Sequence, residues 1–275
     1  MRVNGINTAI QSMMMLLAPA AAGALYDGLQ LRAIFWVDVL TAIIGISLML
    51  ALKIERREVP AGAEKTHVFK DMAIGIRYAA GTKWLRQFLG IYVLYSLMFG
   101  PVIFLTPLMV ARSFGEEPWR LVAHEIVFAV GMTLGGAAAG AFAGKAKNKV
   151  ILVLMACAAF GAGTLLMGFS PNFWFYLGTM AATGLSVPFV NTGSMTVLQT
   201  KIPPDLMGRV FGLVMIVNGM LPLSMAIFGP ISDRVRVETL LIITGAAMAA
   251  ISAAGLLLKD MVRAGREAPV EVQGA

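Results

Sequence analysis

The sequence predicts an all-α, polytopic membrane protein with eight transmembrane helices, and three observations carry that prediction. Hydrophobic residues make up 58% of the chain and charged residues 13%, more apolar surface than a water-soluble core of this length can hide. Apolar runs of about 20 residues, enough to cross a hydrocarbon layer, recur between short clusters of Lys, Arg, Asp, Glu and Pro. Of the 22 Lys and Arg residues, all but Arg32, Arg112, Arg120, Arg234 and Arg236 fall on one side of those runs. An even number of spans puts both termini on that basic side, which the positive-inside bias assigns to the cytoplasm.

The spans fall at 3–26, 33–52, 88–110, 121–142, 150–168, 173–200, 210–231 and 239–258. The first carries a polar face of Asn4, Asn7 and Gln11, and the second has Asp38 at shallow depth, a structural charge. Segment 53–87 is a cytoplasmic linker. Phe69, Met72, Ile76 and Ala80 recur there at three- or four-residue spacing, with Lys70, Asp71 and Arg77 elsewhere, so it predicts a helix lying on the inner surface. The third span shows a stripe of Tyr92, Ser96, Phe99 and Ile103 with Tyr95 beside it. Such a stripe serves packing or a ligand, and Gly100-Pro101 supplies a hinge.

In the fourth span, Glu125 lies a turn inside the outer end, beside His124. A carboxyl at that depth either takes and releases a proton or pairs at the rim with Arg120 or Arg112. Gly131, Gly135, Gly136, Gly140 and Gly144 follow at small-x-x-x-small spacing, a face on which another helix packs closely. The fifth and eighth spans carry few polar residues and are expected to face lipid. The sixth crowds Ser186, Pro188, Asn191, Thr192, Ser194, Thr196 and Gln199 into about four turns. Asn191 and Ser194 share a face there, which reads either as substrate-facing or as hydrogen-bonding between helices, and Pro188 invites a bend. Residues 259–275 form a cytoplasmic tail.

The chain contains an internal copy. Arg2-Val3-x-Gly5 returns as Arg209-Val210-x-Gly212, and Gly23-x-x-x-Asp27 returns, one residue short of the same offset, as Gly229-x-x-x-Asp233. The first and seventh spans are therefore equivalent helices, and six spans make one repeat. Parallel six-span repeats organise one class of secondary transporters. On this reading 1–52 holds the last two helices of one bundle, 88–258 is a complete six-helix bundle, and four helices precede residue 1. In the repeat register Gln11 falls opposite Asn218, so two amides line one cavity from both halves.

The segment FKDMAIGIRYAAGTKWLRQF and the PPDLMGRVFG that precedes the seventh span resemble the major facilitator superfamily, in particular bacterial exporters of the macrolide-efflux and enterobactin-exporter type. Asp71, Gly75, Arg77, Tyr78, Leu85 and Arg86 match that pattern. The resemblance covers nearly the whole chain and the last eight of the family's twelve helices. It implies proton-coupled efflux of a small amphipathic or hydrophobic molecule, drug-like or siderophore-like, across a bacterial-type plasma (inner) membrane. One departure stands out. The family's acidic cytoplasmic signature is absent after the fourth span, where Gly140-Ala-Phe-Ala-Gly144-Lys145 stands, so its charge relay does not carry over. The alternative is a non-transporting fragment, or a membrane subunit that works beside another chain.

Other functions are disfavoured. The net charge of +7 has its source in cytoplasmic loops rather than in nucleic-acid binding. The single cysteine, Cys157, precludes a disulfide framework and reads as packing. No phosphate loop, metal-ligand pair or nucleophile elbow is present, so neither a cofactor nor enzymatic chemistry is expected. The 19 Met residues fill loose packing or provide an adaptable binding surface.

Overall fold

The computed structural model describes residues 31–51, 68–115, 117–142 and 145–266, together with Met14. The first span, with Asn7 and Gln11, lies outside the described residues, as does Gly144. The chain divides into two compact units, Met1–His67 and Val68–Ala275. The described part of the first unit is one helix, α1 (Leu31–Ala51), apolar over Phe35–Leu50.

The second unit is a helical bundle. Its elements are α2 (Val68–Gly81), α3 (Lys83–Met109, continued by a π turn over Val110–Phe114), α4 (Pro118–Phe142), α5 (Lys149–Gly168), α6 (Phe173–Lys201), α7 (Pro204–Asn218), α8 (Leu221–Ser232), α9 (Val237–Leu257) and α10 (Lys259–Ala264). Among the described residues six segments are long and apolar enough to cross a membrane, with α7 and α8 together forming one of them. They coincide with the third to eighth expected spans. Lipid offers no partners to backbone amides, so helices that satisfy their own hydrogen bonds are the form such segments take.

Asn148 and Asn172 start α5 and α6 as N-caps, accepting from the amides of Ile151 and Phe175 at 3.1 and 2.9 Å. Side chains pack in three layers along the bundle. One, at the α2 and α10 end, centres on Leu85, Phe88, Val150, Leu198, Val210 and Met261. A second, at the far end, centres on Leu105, Met109, Met167, Tyr176 and Leu241. The middle layer is smaller and gathers Tyr95, Val102, Cys157, Phe160, Val190 and Met248.

The glycine face of α4 packs on α6 as expected, but only in part. A β-carbon at Gly131 would collide with the Ala181 carbonyl, and one at Gly135 with the Leu185 carbonyl, whereas Gly136 and Gly140 face open space. Gly131 and Gly135 therefore set the helix spacing, and Gly140 does not.

The lipid-facing expectation for the fifth span is corrected. Half of the apolar window of α5 is buried in the bundle, against 22% for α4. A β-carbon at Gly161 would stand 2.9 Å from the Gly245 carbonyl, so small residues let α5 and α9 touch backbone to backbone. A shortage of polar side chains did not mean contact with lipid.

The seventh span is not one continuous helix. It breaks between α7 and α8 at Gly219-Met220, because Pro222 has no amide to donate to the carbonyl of Asn218. Pro101 similarly leaves the Leu97 carbonyl without its helical donor, and the Ser224 hydroxyl of α8 fills that vacancy at 3.2 Å. Helix α3 runs through Gly100 and Pro101, both buried, without interruption.

The linker helix exists, and it docks on the bundle through a face other than the apolar stripe. Gly75 lies 3.1 Å, measured from its ideal β-carbon position, from the Arg209 carbonyl at the start of α7, and Ala79 joins the adjoining core layer. Ile76 and Ala80 of the expected stripe are exposed. Gly75 permits the closest backbone approach, so the helix turns that face inward.

Candidate functional site

The three helices with proline or a break near their midpoints, α3, α6 and α7–α8, meet at the middle layer. A cavity of about 130 Å3 lies there. From α3 it is lined by Tyr92, Tyr95, Ser96 and Phe99, from α6 by Val187, Val190 and Asn191, and from the end of α7 by Asn218. Phe160 of α5 closes the wall, its ring 5.1 Å from that of Phe99 and 6.3 Å from that of Tyr95.

The stripe forms because residues three and four apart share a helical face. Tyr92 donates its hydroxyl to Asn218 Oδ1 at 2.9 Å, which ties α3 to the last residue before the break. Tyr92 also stacks on Phe88, with ring centroids 6.5 Å apart. The buried Tyr95 hydroxyl has no hydrogen-bond partner among the described residues. The cavity thus presents aromatic faces, two amides, Ser96 and the Tyr92 hydroxyl, the last already in use, while the Tyr95 hydroxyl is buried in its wall.

The expected candidates separate into groups. Tyr92, Tyr95, Ser96, Asn191 and Asn218 converge on this cavity, while Asn7 and Gln11 lie outside the described residues. Ser194 does not line it. It is buried in the bundle, its hydroxyl also unpartnered among the described residues, because a shift of three positions turns it by about 60° from Asn191 into the packed side of α6. Ile103, the end of the stripe, is exposed beyond the cavity. Phe160 gives no signal of its own in the sequence, because its span carries few polar residues.

Glu125 occupies a separate place near the far end of the bundle. Its side chain is 53% exposed, with Oε1 3.7 Å from His124 Nε2. Neither expected rim partner takes it: Arg120 pairs with Glu117 at 2.6 Å, and Arg112 with Asp233 at 3.3 Å. His124 is buried. Its Nδ1 lies 3.0 Å from the Tyr176 hydroxyl, which is also 3.0 Å from the Thr106 carbonyl. A polar chain therefore runs from exposed Glu125 through His124 and Tyr176 to the backbone of α3. Tyr176 was not identifiable in the sequence, since its partners lie 52 and 70 positions away.

Around the same end, Arg112 Nη1 donates to the Ser232 carbonyl at 2.8 Å and the Ser113 hydroxyl donates to Glu238 at 2.7 Å. These contacts join the π turn after α3 to α8 and α9. Arg120 also lies over the rings of Trp119 and Phe173, at 5.4 and 5.7 Å. Among the described residues no group of His, Cys, Asp and Glu could hold a metal ion.

The model of the family described as Major Facilitator Superfamily matches residues 1–223. The chain is 28% identical over 244 residues to Macrolide efflux protein A of Streptococcus pyogenes, covering 88% of this chain and 60% of that protein. It is 30% identical over 211 residues to Macrolide efflux protein A of Enterococcus faecalis, covering 76% of this chain and 65% of that protein. The matched region thus spans somewhat under two thirds of the length of these relatives.

Proposed function

The chain belongs to the Major Facilitator Superfamily, and on that premise we propose that it serves secondary active export of a small amphipathic or hydrophobic organic molecule by alternating access, with protons as the coupling ion. The observation that carries this reading is the mid-depth cavity walled by α3, α6 and α7. Irregular backbone inside a membrane is tolerated where it is buried in protein or faces a cavity, and transporters place substrate sites at such points. At about 130 Å3 the cavity is smaller than the roughly 300 Å3 or more of a complete small-molecule site. It therefore receives one part of the cargo, apolar rings against Tyr95, Phe99 and Phe160 and polar edges on Ser96, Asn191 and Asn218. Relatives named as macrolide efflux proteins make a macrolide the first cargo to test.

Glu125 is the proposed proton site. It is the acid from which the chain of His124 and Tyr176 leads inward, and the basic end of the bundle is assigned to the cytoplasm. The test uses protein in liposomes loaded with a pH indicator. Adding a macrolide under a pH gradient is expected to move protons with the cargo, and transport without proton flux removes the coupling claim. Glu125→Gln is expected to abolish coupling, and unchanged flux in that variant assigns Glu125 to the surface alone.

A further inference from the structure

We propose that the bundle holds an anionic phospholipid, its headgroup phosphate seated between the α4–α5 turn, the end of α6 and α10, and one acyl chain lying along α5. Two adjoining cavities at the α2 and α10 end carry this. The first, about 140 Å3, is lined by Lys147, Lys149, Lys201 and Arg266 together with Thr200, and among the described residues no acidic one lines it. The second, about 670 Å3, shares Lys147 and Arg266 with the first and continues past Ile151, Leu152 and Met155.

The placement of these cavities names the ligand. Helix α5 begins at Lys149 and α6 ends at Lys201, so the cations ring the level at which apolar spans give way to charged turns, where lipid headgroups lie. Lys147, Lys149 and Arg266 form no ion pair among the described residues. From Lys149 to Met155 the helix rises about 9 Å into its apolar run, and Met155 is 62% exposed at the end of the groove. A free phosphate would use the first cavity alone, whereas a phospholipid with a net negative headgroup uses both. Basic pockets between transmembrane helices bind such headgroups. The ligand would also fasten α10, which already receives the Asn148 side-chain amide on its Val262 carbonyl at 2.8 Å.

The test is native mass spectrometry of the full chain in detergent, titrated with phosphatidylglycerol or phosphatidylcholine. Phosphatidylglycerol is expected to bind at least about tenfold more tightly, and Lys147→Gln/Lys149→Gln/Arg266→Gln to weaken it by about a hundredfold, roughly fivefold per basic residue. Arg77→Gln/Lys83→Gln/Lys259→Gln, which removes equal charge elsewhere on the same end, keeps the preference; equal loss in both triple variants overturns the site. Lys147→Arg keeps binding and Lys147→Glu loses it, a pair too mild to disturb folding, and equal binding by these two also overturns it. Met155→Asp is expected to weaken phosphatidylglycerol. Unchanged binding in that variant, or full displacement of the lipid by inorganic phosphate, replaces the lipid with a simple anion and overturns the proposal.

Discussion

The Tyr92 hydroxyl and the Asn218 side chain meet at 2.9 Å across 126 positions of sequence, and Asn218 is the last residue before α7 stops. One side chain thus fastens an intact helix to the edge of a broken one. Hydrogen bonds between membrane helices average about 0.6 kcal/mol. Tyr92→Phe and Asn218→Ala are each expected to lower the rate of cargo transport about threefold, and the double variant to lose little more than either single one. A double-mutant cycle on transport rates measures this; fully additive losses would mean the two residues act separately.

Gly135→Leu is expected to destabilise the bundle by about 1–3 kcal/mol, since the added atoms enter the space of the Leu185 carbonyl and push α4 from α6. Gly140→Ala meets open space and is expected to raise stability by up to about 1 kcal/mol through helix propensity. Thermal unfolding in detergent distinguishes the two, and equal effects would refute the division of the glycine face.

Ser224→Ala is expected to cost about 1–2 kcal/mol, because it strips the Leu97 carbonyl of the donor that replaces the missing amide of Pro101. In a Pro101→Ala background the backbone amide returns and the same Ser224→Ala change becomes nearly neutral. Unfolding midpoints of the four proteins check this, and a Ser224 effect independent of residue 101 contradicts it.

Asn148→Ala removes the N-cap of α5 and the contact to Val262 together. A cap is worth about 1 kcal/mol, and α10, six residues long, is too short to hold its shape unaided. Faster tryptic cleavage at Lys259 and Arg263 is the expected outcome. Unchanged cleavage would mean that the packing of Met261 and its amide's bond to Gln87 at 3.1 Å suffice.

Much of the bundle was legible in the sequence. Hydropathy located the third to eighth spans because each must cross the same thickness of hydrocarbon. Spacing found the α3 stripe because a helix repeats its faces. The stripe, the polar sixth span and the repeat register separately singled out Tyr92, Tyr95, Ser96, Asn191 and Asn218, which line one cavity. What escaped depends on partners distant in sequence. Nothing local distinguishes Gly131, pressed on Ala181, from Gly140, pressed on nothing. The stripe of the linker helix says nothing of how that helix docks, because the contact with α7 runs through Gly75, which has no side chain to show in an apolar pattern. The break after Asn218 was signalled by Pro222, but a proline within an apolar run fits a kink as well as a stop, and the neighbouring helices decide which forms.

Pro101, Pro188 and the Gly219-Met220 break stand near the midpoints of the three helices that, among the described residues, wall the cavity together with α5. Backbone bonds are therefore missing at one depth, between two well-filled layers. The bundle carries a crease. At that depth α4, α5 and α9 run unbroken, so any bend of the bundle falls on α3, α6 and α7–α8, where helical hydrogen bonds are already missing.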